Sequence, residues 1–191
     1  LNLRENQNIL LLMPASRPQE LKYILPTFLK TAKKLQLRYP SLVVYIPSCR
    51  KVFDERFRKG LEKYEIKGKV ISQQDDSKLM PYIYSLAKLA LCKSGTVNME
   101  LALYGIPQII GYRVSRVTAF IAKRVLNFKV RFISPVNLLM KKFIIPEFVQ
   151  KNFNEKKIFY KACRLLDLKS EKAKIKKGYT FLKKELGEEG V

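Results

Sequence analysis

Lys93-Ser94-Gly95-Thr96-Val97-Asn98-Met99-Glu100 is a small-residue turn set between two apolar segments. Before it, Leu86-Ala87-Lys88-Leu89-Ala90-Leu91-Cys92 is apolar enough to enter a sheet. After it, Leu101-Ala102-Leu103-Tyr104-Gly105-Ile106-Pro107 reads as a short helix stopped by Gly and Pro. In a strand–turn–helix start, backbone N–H groups and the positive end of a helix dipole can receive a phosphate. Ser94 and Thr96 add hydroxyl donors around Gly95. Glu100, about one helical turn beyond Thr96, is placed to meet a sugar hydroxyl. An ordinary βα turn with a Gly and a capping Thr has the same spelling, so the surrounding chain must decide.

Outward from that turn, strands and helices alternate. Ile9 to Met13 and Leu42 to Ile46 are continuous apolar runs without alternation, as expected of strands buried on both faces. Lys69 to Ser72, Leu89 to Cys92 and Gln108 to Tyr112 complete five strands. Leu21, Ile24, Leu25, Phe28, Leu29, Ala32 and Leu35 form a helical stripe, with Pro18 and Pro26 suited to the first turns of consecutive helices. A helix over 52–64 carries Val52, Phe57, Leu61 and Tyr64, and Asp75-Asp76-Ser77 offers caps for the next helix. Two helices, about 155–167 and 170–186, close the chain; the Lys-rich start of the second reads as a solvated face or frayed tail. The fold expected is an α/β, Rossmann-like parallel sheet with helices on both faces over 1–153, then C-terminal helices over 154–191.

Ligands of such sheets bind outside the carboxyl ends of the strands. The turns there contribute Arg17, Arg50, Lys93, Arg113 and Arg116, a cationic rim around the phosphate-receiving turn. The whole chain is basic: 38 Lys and Arg against 16 Asp and Glu give a net charge of +22 over 191 residues. That favours a polyanionic partner: nucleic acid, anionic lipid or a phosphorylated substrate. There is no His, which excludes Ser-His-Asp chemistry and His metal ligation within this chain. Cys49, Cys92 and Cys163 are widely spaced and form no C-x-x-C pair, which fits a reducing compartment and argues against structural zinc. No run is long enough to span a bilayer and no signal peptide is visible, so any membrane contact is expected at the surface. The chain begins with Leu1 rather than Met and reads as a piece of a longer protein.

Three later segments carry further signals. Val114, Val117, Phe120, Ile121, Val125 and Phe128 recur at helical spacing with Arg116, Lys123 and Arg124 off the stripe. A basic amphipathic helix from Val114 to Phe128 suits an anionic membrane or the face of a sheet. Pro135 argues against a central strand between Phe132 and Leu139, where Asn137 is free to bond a ligand or cap a helix. Phe143 to Gln150 reads as an apolar loop holding Glu147 and Gln150.

Together these residues resemble the C-terminal half of the lipid-A-disaccharide synthase family, glycosyltransferases of GT-B architecture. The resemblance is carried by Ser16-Arg17, Ser94-Gly95-Thr96 with Glu100-Leu101, Pro107 to Arg113, Ala122-Lys123-Arg124, Ser134 to Leu139, and Glu147 with Gln150. Order and spacing agree over roughly 9–165. The Ser-Gly-Thr…Glu piece is shared by many GT-B enzymes and a UDP-sugar epimerase family; the run from Gly111 to Gln150 is more specific. The resemblance implies transfer of a diacylglucosamine from a UDP-diacylglucosamine donor to a diacylglucosamine 1-phosphate acceptor, with no metal and no other cofactor. It implies that Ser16, Arg17, Ser94, Gly95 and Thr96 hold the pyrophosphate and that Glu100 meets the ribose. Arg113 and Asn137 would lie at the donor or interdomain cleft. An N-terminal acceptor domain, bearing the general base, is not in this chain, so no catalytic residue is assigned and the chain alone is expected to bind without turning over. Ala15 stands where the family usually has Gly. The expected location is cytoplasmic, peripheral on the inner membrane surface. A basic nucleic-acid-binding module, another GT-B UDP-sugar enzyme and a non-catalytic membrane-surface protein are the other readings. No RNA-recognition signature supports the first of these, and the aromatics fall at core spacings.

Overall fold

The computed structural model describes residues 7–48, 50–72, 79–115 and 131–187. Its centre is β1 (Asn8–Met13), whose four middle residues are all fully buried. Burial of consecutive residues, which point alternately up and down, means that both faces of the sheet are covered.

From β1 the chain runs through α1 (Pro18–Arg38), β2 (Leu42–Pro47), α2 (Lys51–Lys63) and β3 (Gly68–Ile71). It continues through α3 (Leu79–Leu86), β4 (Ala87–Cys92), α4 (Val97–Leu103) and β5 (Gln108–Tyr112). Then come a short α5 (Pro135–Leu139), β6 (Glu147–Val149), a 3-10 turn at Gln150–Asn152, α6 (Glu155–Asp167) and α7 (Lys169–Leu186). The six strands are parallel, in the order β3-β2-β1-β4-β5-β6. The order reverses between β1 and β4, and a crevice at the carboxyl ends of those two strands is the expected ligand position in such a sheet.

Several expectations are corrected. Pro26 does not start a second helix but lies inside α1, exposed, while the stripe from Leu21 to Leu35 stays buried across it. The lost backbone bond falls on the solvent side, and continuous burial on the other side holds the helix together. On α2 the buried stripe is Phe53, Phe57 and Leu61; Val52 is 70% exposed. The segment after Phe143 is not all loop, because Glu147–Val149 pairs with β5 as a sixth, edge strand. The C-terminal helices belong to the core. Ile158, Ala162 and Leu165 of α6 and Ile175, Tyr179 and Leu182 of α7 are buried in the same cluster as the sheet. The stripe Ile175, Gly178, Tyr179, Leu182 is a helical i, i+3, i+4, i+7 series, masked in the sequence by the lysines between its members.

Packing of β5 is unusually close. An ideal Cβ on Gly111 would sit 2.2 Å from the Phe153 ring and 2.8 Å from Phe28. Those two rings meet edge to face at 5.4 Å, joining α1 to the chain entering α6. Asp75 and Asp76, Cys49, and most of the amphipathic stretch expected from Val114 to Phe128, including Arg116, Lys123 and Arg124, lie outside the described residues.

Candidate functional site

Parallel pairing of Met13 with Cys92 brings the turn after β1 beside the turn after β4. The Lys93 N–H donates to the Met13 carbonyl at 2.9 Å, stitching the two turns together. Ser16 and Arg17 stand on one side, both exposed, and among the described residues neither side chain has a partner. Arg17 is the N-cap of α1; its backbone is extended and its carbonyl accepts from Glu20 and Leu21, each at 3.2 Å. Ala15 does not have positive φ, so the backbone there requires no glycine.

Across the crevice, the Ser94-Gly95-Thr96 turn is organised by Asn98, which is not among the residues expected at the site. Asn98 is fully buried, its Oδ1 accepts the Gly95 N–H at 2.8 Å, and its Nδ2 donates to the Lys93 carbonyl at 3.2 Å. The signal was there: a polar residue on the same helical face as Leu101 and Ala102. The Gly95 N–H is therefore not offered to a ligand. Among the described residues, no hydrogen bond occupies the N–H groups of Thr96 and Val97. The Thr96 hydroxyl is exposed and makes no capping bond. The Ser94 hydroxyl is already donated to the Ile133 carbonyl, which removes it as a free donor. An ideal Cβ on Gly95 meets nothing within 4 Å, so open space lies over the turn. With seven residues, α4 has a small dipole, and the individual N–H groups carry more weight than the helix end.

Glu100 is exposed on α4 and lies against Tyr84 of α3. Burial, and then the Glu100 charge, push the Tyr84 hydroxyl well above its ordinary range, so it stays a neutral donor. The Tyr84 ring meets Tyr104 edge to face at 4.9 Å.

The cationic rim is smaller than expected. Lys93 is ion-paired with Glu20 at 2.9 Å. Arg113 donates to the carbonyls of Gln150 at 3.2 Å and Phe153 at 3.0 Å, and its guanidinium lies over the Phe153 ring. It thereby holds Gln150, whose φ of 51° is in the left-handed region. Arg50 lies over Phe53. Arg17 is the rim cation left without a partner among the described residues.

Asn137 is corrected in the same sense. It is fully buried, and its amide is saturated: Nδ2 donates to the Ile145 carbonyl at 2.8 Å and to Glu147 at 2.7 Å. Its Oδ1 accepts from Ile144 at 2.8 Å and Ile145 at 3.0 Å. Two donors and two acceptor positions are all an amide has, so none remains for a ligand. Ser134, not Asn137, caps α5. Glu147 also accepts from the N–H groups of Ile133 and Ser134, fastening the loop beside the Ser94 turn.

A parallel sheet in this order, with its crevice between β1 and β4, is one lobe of the GT-B glycosyltransferase fold. S. aureus MnaA, solved with UDP, shares it at a TM-score of 0.62 and 12% identity, over 91% of this chain and 41% of that one. The C-terminal CMP-Kdo binding domain of WaaA from Acinetobacter baumannii shares it at a TM-score of 0.57 and 10% identity, over 94% of this chain and 91% of that one. The family model for lipid-A-disaccharide synthetase matches residues 1–190, and the chain belongs to that family. Lipid-A-disaccharide synthase of Prochlorococcus marinus (strain MIT 9313) is 44% identical over 191 residues, all of this chain and 49% of the relative. The chain thus spans about half the length of the curated relatives it matches.

Proposed function

We propose that this chain is the donor-binding half of a glycosyltransferase that moves a diacylglucosamine from UDP to a diacylglucosamine 1-phosphate. The observation that carries this reading is the facing of unpartnered Ser16 and Arg17 with the open Ser94-Gly95-Thr96 turn across the β1–β4 reversal. In this arrangement the donor diphosphate lies over Gly95. Arg17 and the N–H groups of Thr96 and Val97 face the charge that grows on the diphosphate as the anomeric C–O bond breaks. Glu100 accepts from the ribose. The acceptor hydroxyl forms the new bond to the anomeric carbon, and its proton goes to a base supplied by the rest of the protein. Family membership does not favour the nucleic-acid module or another UDP-sugar enzyme.

Titration calorimetry with UDP tests the reading. Saturable binding weakened about tenfold or more by Arg17→Ala and by Glu100→Ala is the expected result. Absence of UDP binding, with salt-sensitive binding of single-stranded RNA instead, would sink it.

A second observation favours work at an anionic membrane surface, where acylated substrates reside. Leu138, Leu139 and Phe143 are at least half exposed, beside Lys141 and Lys142. Phe143 meets Phe132 edge to face at 4.7 Å, and Arg131 lies over the Phe132 ring. Apolar side chains interleaved with cations match an anionic headgroup layer over acyl chains. Among the described residues, no helix is long and apolar enough to cross a membrane.

A further inference from the structure

Beneath the Ser94–Thr96 turn runs a closed chain of buried polar groups. Tyr179 of α7, 2% exposed, donates its hydroxyl to the Ile106 carbonyl at 3.1 Å and accepts from Gln108 Nε2 at 3.0 Å. Gln108, fully buried at the start of β5, also donates to the Asn98 carbonyl at 2.9 Å. Its Oε1 accepts from the Cys92 thiol at 3.5 Å. Asn98 completes the chain through Cys92 Sγ, the Lys93 carbonyl and the Gly95 N–H. Burial raises the Tyr179 hydroxyl and the Cys92 thiol well above their ordinary ranges, so both are neutral at physiological pH.

Gln108 sits in a strand whose following residues, Ile109 and Ile110, are buried hydrophobics. An apolar side chain of equal volume would fill its space without any polar group to satisfy. What the amide adds is geometry. A fully satisfied buried network fixes one arrangement of the groups it joins. This one joins α7, β5 and α4, and it ends on the backbone of the phosphate-facing turn.

We propose that Asn98, Gln108 and Tyr179 are positioning residues for the diphosphate. The inference rests on the donor-site reading above and extends it to Tyr179 of α7, more than eighty residues beyond the turn in sequence. With Asn98 pinned from below, the Gly95 N–H is turned inward and those of Thr96 and Val97 face the crevice. When the pin loosens, the turn samples orientations that do not bind, and affinity falls by the fraction lost.

The test uses Tyr179→Phe, which keeps the ring, and Gln108→Met, which keeps the volume. Two readouts are taken on the whole protein: amide hydrogen exchange at Gly95, followed by NMR without ligand, and UDP affinity. Both variants should fold with melting temperatures within a few degrees of the parent. In both, Gly95 exchange should accelerate and UDP affinity should fall about fivefold, the equivalent of one lost hydrogen bond. Parent-like exchange at Gly95 in both variants overturns the proposal whether or not UDP binds. Faster exchange with unchanged UDP affinity shows that the network orders the turn without serving the ligand, and also overturns it. Failure of the parent protein to bind UDP is a separate result, which removes the donor-site reading.

Discussion

Lys93 and Glu20 form an ion pair of 2.9 Å that spans the reversal in strand order. Lys93 ends the β4 side of the crevice, and Glu20 lies in the first turn of α1, three residues after Arg17. Both side chains are mostly buried, at 20% and 13% exposure, and among the described residues the second oxygen of Glu20 has no hydrogen-bond partner. Removing the lysine would strand a carboxylate that already lacks one partner. Lys93→Met should therefore cost about 2–3 kcal/mol, more than Glu20→Gln. The double variant should regain part of the loss, which denaturant unfolding of all four proteins would show; additive costs would refute the coupling.

Two glycines near the site should behave in opposite ways. Gly95 has normal φ and open space where a Cβ would go, so Gly95→Ala should leave stability within about 0.5 kcal/mol of the parent. If the open space is where the diphosphate rests, UDP affinity should still fall about tenfold. Gly111→Ala would drive a Cβ into the Phe153 and Phe28 rings and should cost about 1–3 kcal/mol. Thermal melts with calorimetry on both variants check the contrast. A Gly95→Ala protein that binds UDP normally would exclude close approach of a ligand to that turn.

Asn137 and Glu147 make a prediction about the loop that supports the site. Asn137→Ala leaves two N–H groups and a carbonyl without their partner and takes one of three donors from Glu147 Oε1, at a cost of about 3 kcal/mol or more. Asn137→Asp places a second carboxylate against Glu147 at the present 2.7 Å contact. It should be at least as damaging at neutral pH, with the loss shrinking on acidification as one carboxyl takes up a proton. Unfolding at pH 7 and pH 4 would decide, and a pH-independent penalty would count against direct carboxylate repulsion.

Much of this fold is legible in the sequence because both-face burial leaves plain marks. Ile9 to Met13 and Leu42 to Ile46 show no alternation, and such runs suit only a covered sheet. The short β6 was missed because its three residues follow Pro146 and include Glu147, a spelling proper to loops. Strand order was not legible. Nothing local in Ile9 to Met13 says that its neighbour is Cys92, nearly eighty residues on, yet that pairing assembles the crevice. The type of each polar residue was visible, but its allegiance was not. Asn137, Arg113 and Ser94 spend their hydrogen bonds within the fold, whereas Ser16, Arg17, Thr96 and Glu100 are exposed. Which way a polar side chain turns depends on carbonyls and amides delivered by distant elements, and sequence spacing carries no record of them.

The apolar and cationic patch on α5 and the loop after it should partition onto anionic vesicles. Leu139→Asp and Phe143→Asp add charge on exposed side chains, so the fold should tolerate them. Sedimentation with phosphatidylglycerol-containing vesicles should show binding reduced several-fold, with little binding of any variant to neutral vesicles. Parent-like binding by both variants would place the membrane contact elsewhere.

Stability should also depend on acid through the clasp between the two C-terminal helices. Glu171, in the first turn of α7, meets Lys161 at 2.6 Å and Arg164 at 2.9 Å, both on α6, and is only 11% exposed. The hydrogen bond from Lys161, chiefly, holds its carboxyl below the usual glutamate range, against a smaller opposing effect of burial. A carboxyl with a depressed native pKa stabilises the fold above its unfolded pKa of about 4.3, and that contribution is lost as pH falls through the lower native value. Glu171→Gln should therefore cost about 1–2 kcal/mol at pH 7. The gap between parent and variant should begin to close below about pH 4.3 and go on shrinking as pH falls through the depressed native value. Urea unfolding at a series of pH values measures that gap directly. A gap of constant size from neutrality to pH 3 would mean that Glu171 acts through packing rather than charge, and α7, with Tyr179 on it, would then be held by its apolar stripe alone.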